Sequence, residues 1–193
     1  MRLDEATYEQ LAHGSHHSPH DYLGLHPEGK GWVLRALRPL AKSVVAKAKT
    51  KKIPLEHVHA GVWEARGKTK TFDYRLITEY EGATWDTADS YSFLPMIGEL
   101  DLHLIAEGRH EELWKVLGSH VLETKDSLGK ISGVSFKVWA PNASAVRAVG
   151  DFNSWDGTAH AMRSPGSSGI WELFVPEIGP GTLYKYQTRT RHG

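Results

Sequence analysis

Two stretches of this 193-residue chain carry the same words in the same order, and that repeat constrains the fold more than any local pattern does. Arg35-Ala36-Leu37-Arg38-Pro39-Leu40-Ala41-Lys42-Ser43-Val44 is echoed by Lys137-Val138-Trp139-Ala140-Pro141-Asn142-Ala143-Ser144-Ala145-Val146. Gly61-Val62-Trp63-Glu64 is echoed by Gly169-Ile170-Trp171-Glu172, and Phe72-Asp73-Tyr74 by Tyr184-Lys185-Tyr186. Leu-Gly-x-His stands ahead of each half, at 23–26 and at 117–120. Ordered self-similarity of this kind means that both halves build the same supersecondary unit.

That unit reads as β. Trp32–Leu37, Ser43–Lys47, Gly61–Ala65 and Thr71–Ile77 are short runs rich in branched and aromatic residues, separated by Gly, Pro and Asp. Such spacing predicts a sandwich. A second run of strands is expected from about Gly133. Residues 3–12 predict a short helix with Asp4 as cap, Leu3, Thr7, Tyr8 and Leu11 on one face, and Gly14 as stop. One more turn is expected between His20 and Leu23, and a helical period at Leu100–Glu107 and Glu111–Leu117 marks a connector. The fold class is therefore mainly β: two tandem immunoglobulin-like β-sandwiches with short connecting helices. The expected division is 1–115 for the first, with its leading helix and helical linker, and 116–193 for the second.

Between the repeated words of the second half lies a segment the first half lacks. Val146-Arg147-Ala148-Val149-Gly150 alternates as a strand and opens into Asp151-Phe152-Asn153-Ser154-Trp155-Asp156. Asp and Asn favour a turn there, because their short side chains bond nearby backbone groups. The turn puts an indole beside two carboxylates and an amide. A flat apolar ring rimmed by hydrogen-bonding groups suits a pyranose, whose C–H faces are edged by hydroxyls. The competing reading is that Trp155 is core, as most tryptophans in small β-domains are, and that Asp151 and Asn153 only shape the turn. Trp139, Trp171, Phe136, Phe152, Tyr184 and Tyr186 are expected to pack in the core and across strands, as are Trp32 and Trp63.

Composition excludes several functions. Lys+Arg and Asp+Glu are both 23, so the chain lacks the basic excess of a nucleic-acid-binding surface. With no cysteine there is neither a disulfide nor a zinc–thiolate site. Acids in Met1–Ala6 argue against a signal peptide, and no stretch reaches the about 20 apolar residues of a membrane span, so a cytoplasmic protein without a membrane partner is expected. Five of the 12 histidines (His13, His16, His17, His20 and His26) cluster near the amino terminus. They sit in an expected loop rather than on the rigid frame a structural metal site needs, so no metal or cofactor is expected. Pro165–Gly169 and Gly179-Pro180-Gly181 are turn residues, and neither has the Gly-Lys-Ser/Thr ending of a phosphate loop.

The words around the Trp155 turn also carry a family resemblance. Gly133–Ala143, Gly150–Asp156, Ser168–Pro176 and Gly181–Tyr186, in this order, resemble the family 48 carbohydrate-binding module of α-glucan-active enzymes. Upstream, Ser18-Pro19-His20-Asp21-Tyr22-Leu23-Gly24-Leu25-His26, Asp89–Phe93, Ala106–His110 and Leu117–His120 resemble bacterial glycogen branching enzymes of glycoside hydrolase family 13. The resemblance spans Ser15 to Arg189 and implies a 1,4-α-glucan branching enzyme's amino-terminal region. It implies that Trp155 is a platform for glucan and that Lys185 reaches a hydroxyl, with Asn153 and Asp151 beside them. The second module would stop short of its last hairpin.

Glucan branching with retention needs two carboxyl groups about 5–5.5 Å apart across the bond. In that family they lie on a TIM barrel, which needs about 250 residues. This chain has neither the length nor the βα pattern, so it is expected to be non-catalytic: an accessory region that binds α-glucan (glycogen or maltooligosaccharide) and packs against the catalytic barrel of a longer chain. The alternatives are a structural spacer with no exposed sugar site, and a free regulatory glycogen-binding subunit.

Overall fold

The computed structural model describes residues 2–69 and 71–190. His192 and Gly193, where the second module was expected to end, lie outside the described residues. Among the described residues no helix is long and apolar enough to cross a membrane.

The leading helix α1 (Glu5–Ala12) starts where expected, because the Asp4 carboxylate accepts the Thr7 N–H at 2.8 Å. It buries Tyr8, Leu11 and Ala12, and the chain turns away at Gly14, φ 56°. Seven strands follow: β1 (Gly24–Glu28), β2 (Gly31–Leu37), β3 (Ser43–Ala48), β4 (Lys52–His59), β5 (Val62–Gly67), β6 (Tyr74–Tyr80) and β7 (Ala83–Thr87). They form one antiparallel sheet in the order β1-β2-β5-β4-β3-β6-β7. Strand β4 is its corner, pairing with β3 through Lys52–Leu55 and with β5 through Glu56–His59. The sheet closes on Trp32, Leu34, Val44, Trp63, Tyr74 and Leu76.

A linker carrying α2 (Glu99–Ala106) leads to β8 (Gly118–Asp126), β9 (Gly129–Trp139), β10 (Ala143–Gly150), β11 (Ile170–Pro176) and β12 (Tyr184–Thr190). Two antiparallel sheets, β11-β9-β8 and β10-β12, face each other across Val134, Phe136, Val146, Ala148, Trp171 and Leu173. The molecule is thus mainly β with antiparallel sheets of sandwich type, as its sequence implied.

The repeat holds in the hydrogen bonds. Sheet β8-β9-β11 repeats β1-β2-β5, and β10-β12 repeats β3-β6. The counterpart of corner strand β4 is the segment around Ala161 and Arg163, which bridges Arg147 of β10 and Glu172 of β11. The repeated Gly-x-Trp words have one job. Gly61 and Gly169 take φ 82° and 75° and accept from Arg38 N and Ala140 N at 2.7 and 2.8 Å. Two residues on, the Trp63 and Trp171 indoles donate back to Arg38 O and Ala140 O at 3.2 and 3.1 Å. The repeated Leu-Gly-x-His words close the same turn: the His26 ring meets Leu23 O at 2.8 Å, and His120 meets Leu117 O at 2.9 Å.

Some elements differ from expectation. β1, β4, β7 and β8 have no counterpart in the expected strands, because their side chains are mostly polar or half-buried and give no clean apolar run. The helix expected at 111–117 shortens to a 3₁₀ turn, Leu113–Lys115. Trp139 is 59% exposed rather than core. Alternation explains it: Val134, Phe136 and Val138 of β9 point to the core, so Trp139 points the other way with Lys137.

The two halves are not beads on a string. Tyr8 and Leu11 of α1 and Tyr91 belong to the same buried cluster as Phe136 and Trp171. The Arg147 guanidinium donates to Gly14 O at 2.9 Å and to His13 O. Glu172, only 1% exposed, accepts from Arg163 Nε at 2.9 Å and from the linker N–H groups of Met96 and Ile97 at 3.1 and 3.0 Å. Glu172→Ala strips the buried Arg163 of its counter-charge, leaving it only the Phe93 carbonyl at 3.2 Å, and leaves two backbone donors without their acceptor, so it is expected to lower stability by about 3–5 kcal/mol. Urea melts of both proteins check this; a loss below about 1 kcal/mol would mean that the carboxylate is dispensable.

Candidate functional site

Strand β10 ends at Gly150 opposite Tyr184, the first residue of β12, so Val149 and Lys185 face each other across the ladder. The chain then makes a 3₁₀ turn through Asp151–Asn153 and two consecutive left-handed residues, Ser154 (φ 53°) and Trp155 (φ 64°). Asn153 locks this path. Its Oδ1 accepts the Gly150 N–H at 2.9 Å, while its Nδ2 donates to Ala148 O at 3.0 Å and meets His160 Nδ1 at 3.2 Å. The Trp155 N–H returns to Gly150 O at 2.9 Å. Gly150 is extended, but a Cβ there would meet Leu183 O at 2.3 Å and the Phe152 ring at 2.7 Å, so this crossing has room only for glycine.

The turn rests on rings. Phe152 stacks on Phe136 at 5.8 Å between centroids, and Tyr184 lies 4.8 Å from Phe136. Trp155 stands outside this layer and is 45% exposed. Its Nε1–H donates to Asp151 Oδ1 at 3.2 Å, and Lys185 Nζ lies 5.9 Å from its ring centroid. The Asp156 carboxylate accepts the Thr158 N–H at 2.9 Å, and the Thr158 bonds hold its pKa below the usual range.

The fold therefore brings Trp155, Lys185 and Asp151 together at one edge. It places Asn153 beneath them, with its amide engaged inside the turn. The residue that sequence reasoning missed is His160, whose ring supports Asn153 and sits edge-on to Phe152 at 5.2 Å. No local pattern marks it, because its partners come from the preceding strand and turn.

The amino-terminal histidines do not converge. His16 stacks on His17 at 4.9 Å, His20 lies edge-on to Tyr91, and His26 is engaged by Leu23 O. Among the described residues the group that could hold a metal is Glu5, Glu9 and His59, whose ligand atoms lie within 4.8 Å of one another. His59 Nε2 already meets Glu9 Oε1 at 3.0 Å, and Tyr8 stacks on the imidazole at 5.6 Å.

Desolvation, with the charge of Arg38 nearby, lowers the His160 pKa to about 4. In the unfolded chain the ring titrates near ~6.5, so the unfolded state binds more protons between about pH 6.5 and 4. Stability from this ring is complete above that window and falls as the pH drops through it. With Asn153 Oδ1 engaged by Gly150, the Asn153 N–H needs an unprotonated His160 Nδ1, so acid also frees the turn. Urea melts from pH 7 to pH 4.5 are expected to lose stability, with a shallower slope in His160→Gln. An equal slope in both proteins would remove His160 from this account.

Comparison with known proteins identifies the family of both modules. Residues 4–91 match the model of the alpha-1,4-glucan branching enzyme GlgB N-terminal domain, and residues 116–193 match carbohydrate-binding module 48, the isoamylase N-terminal domain. The 1,4-alpha-glucan branching enzyme GlgB of Thermobifida fusca (strain YX) is 52% identical over 91% of this chain and 24% of its own length. Those of Rhodococcus jostii (strain RHA1) and Myxococcus xanthus (strain DK1622) are 48% and 47% identical, each over 98% of this chain and 26% of its own length. Among solved structures, the pullulanase of Anoxybacillus sp. LM18-11 aligns with 86% of this chain and 23% of its own at 18% identity and a TM-score of 0.27, a likeness too slight to bear on function. The chain spans about a quarter of the length of its curated relatives and belongs to the 1,4-alpha-glucan branching enzyme family as that family's amino-terminal region, a GlgB N-terminal domain followed by a carbohydrate-binding module 48.

Proposed function

We propose that this chain binds α-glucan, as glycogen or maltooligosaccharide, through the face of Trp155, and that it serves as the non-catalytic accessory region of a cytoplasmic 1,4-α-glucan branching enzyme. Lys185 and Asp151 supply hydrogen bonds at the rim of the ring. The reading is carried by the exposure of Trp155 on a left-handed backbone. A non-glycine residue at positive φ costs about 1–3 kcal/mol, and Trp155 keeps 45% of its surface open to solvent there. A flat ring presented beside a carboxylate and an ammonium suits a polyol.

Such a site is weak. Stacking on an aromatic face contributes on the order of 0.5–1.5 kcal/mol beyond buried area. Its benefit is local concentration, since a chain held near an active site reacts as though it were far more abundant. The chemistry belongs to the catalytic barrel expected elsewhere in a longer chain. A docking role is compatible with glucan binding: Trp114 (66% exposed) and Trp139 (59%) leave an apolar surface around the linker that suits contact with further protein.

Affinity electrophoresis tests the reading. The native chain is expected to be retarded in a glycogen gel, Trp155→Ala to run as in a glycogen-free gel, and Lys185→Ala to fall between them. Unretarded mobility of both the native protein and Trp155→Ala would leave the structural-spacer reading in its stead, and equal retardation of both would remove Trp155 from the site. Incubated with amylose, the purified chain is expected to form no α-1,6 links.

A further inference from the structure

The limb that brings the chain back from the Trp155 turn, residues 156–163, is the second module's counterpart of corner strand β4. In the first module β4 is paired from Lys52 to His59, first with β3 and then with β5. The limb keeps two bridges, Ala161 to Arg147 of β10 and Arg163 to Glu172 of β11. Around Ala161 the ladder bonds fall on its neighbours: the Ala148 N–H donates to His160 O at 3.1 Å, and the Met162 N–H to Val146 O at 2.8 Å. The N–H and C=O of Ala161 itself therefore point away from β10. Ala161 is buried, so those groups need a partner.

The partner is Tyr91, the last residue of the first module's family match. Its Oη accepts the Ala161 N–H at 3.1 Å, and its hydroxyl hydrogen faces the carbonyls of Ala159 and Ala161 at 3.3 and 3.4 Å. Tyr91 is itself fixed in the shared core, edge-on to His20. A hydroxyl that holds residues 159 and 161 sets the place of His160 between them. The His160 ring meets Asn153 Nδ2 at 3.2 Å, and Asn153 in turn holds Gly150 N and Ala148 O. An unbroken run of contacts thus leads from the first module to the base of the Trp155 turn.

A second run enters from the end of α1. The Arg147 guanidinium donates to Gly14 O at 2.9 Å and to His13 O. A Cβ at Gly157 would lie 2.8 Å from Arg147 Cβ and from Val149 Cγ1, so the limb crosses directly over the Arg147 stem. A Cβ at Gly14 would lie 2.7 Å from Thr158 O, so first-module backbone touches the limb from the other side. Ser154 and Trp155 hold left-handed conformations, which persist only where the surroundings over-determine them. The first module supplies part of those surroundings.

We propose, on the reading of Trp155 as the glucan platform, that the first module sets the position of that platform. Tyr91 and Arg147 are positioning residues, and glucan affinity at the turn is coupled to the contact between the modules. Such coupling is reciprocal, so a bound glucan also tightens the contact of Tyr91 with Ala161. The first module takes part in sugar binding without touching sugar.

Titration of the full chain with maltoheptaose, followed amide by amide in ¹H–¹⁵N spectra, tests it. In the native chain the amides of Gly150–Asp156 and Lys185 are expected to shift and to give a dissociation constant, and Trp155→Ala is expected to lose those shifts. Tyr91→Phe removes one hydroxyl and is expected to weaken binding about 5-fold or more. Val44→Ala, a cavity in the first module's separate core, is expected to lower stability in urea melts and to leave the constant unchanged. Saturating maltoheptaose is expected to slow hydrogen exchange at the Ala161 amide of the native chain, with no slowing in Trp155→Ala. An unchanged constant in Tyr91→Phe, or equal weakening in Val44→Ala, would overturn the coupling and leave the proposed function standing. Ala161 exchange indifferent to glucan in the native chain would do the same, and that measurement needs no variant to fold. Absence of shifts at the turn in the native chain, or their survival in Trp155→Ala, would sink the proposed function and the coupling together.

Discussion

The arrangement depends on one buried carboxylate. Glu172 sits at the centre of β11, opposite Lys137 of β9, in the register that places Glu64 opposite Arg35 in the first module. In the first module the pair is direct, with Arg35 Nε 2.7 Å from Glu64 Oε2. In the second, Lys137 Nζ turns to Ser135 Oγ at 2.7 Å, and Glu172 is free to gather Arg163 and the linker N–H groups of Met96 and Ile97. A buried charge in a low-dielectric interior is tolerated only when its lone pairs are filled. The repeat thus kept one acidic position and gave it two jobs, cross-strand partner in one copy and clamp on the connector in the other.

That clamp and the shared core explain why the Trp155 turn can be strained. Arg147 of β10 reaches back to the carbonyls beyond α1, and Tyr91 Oη accepts from Ala161 N at 3.1 Å just after the turn. The loop carrying Trp155 is therefore held at its base from the first module as well as from its own strands. A rigid base lets Ser154 and Trp155 remain in left-handed conformations that an isolated hairpin would relax. The ring's exposure is then a property of the whole assembly and not of one loop.

Several features were legible in residue order because their causes are local. Asp4 caps α1 through a side chain three residues from its target. The Gly-x-Trp and Leu-Gly-x-His words announce repeated turns, because each closes on itself or on the adjoining strand. The Asp-Phe-Asn-x-Trp turn was visible as a turn beside an indole. Strands β1, β4, β7 and β8 were not, because an edge or corner strand with one wet face needs no continuous apolar run. Trp139 was misjudged because identity alone does not say which face of a strand a tryptophan occupies; parity within β9 does.

By itself, then, residue order determined a duplicated antiparallel β scaffold, its leading helix, its family and the place where one copy acquired an aromatic turn. Those follow from alternation, capping and turn chemistry, which act over a few residues. Only the tertiary structure decided that the copies share one core, that Asn153 is engaged beneath the turn while Trp155 is half exposed, and that His160 supports it. Each of these depends on groups brought together by packing from elements distant in the chain or from opposite sides of a loop, and on which polar atoms packing leaves to be satisfied.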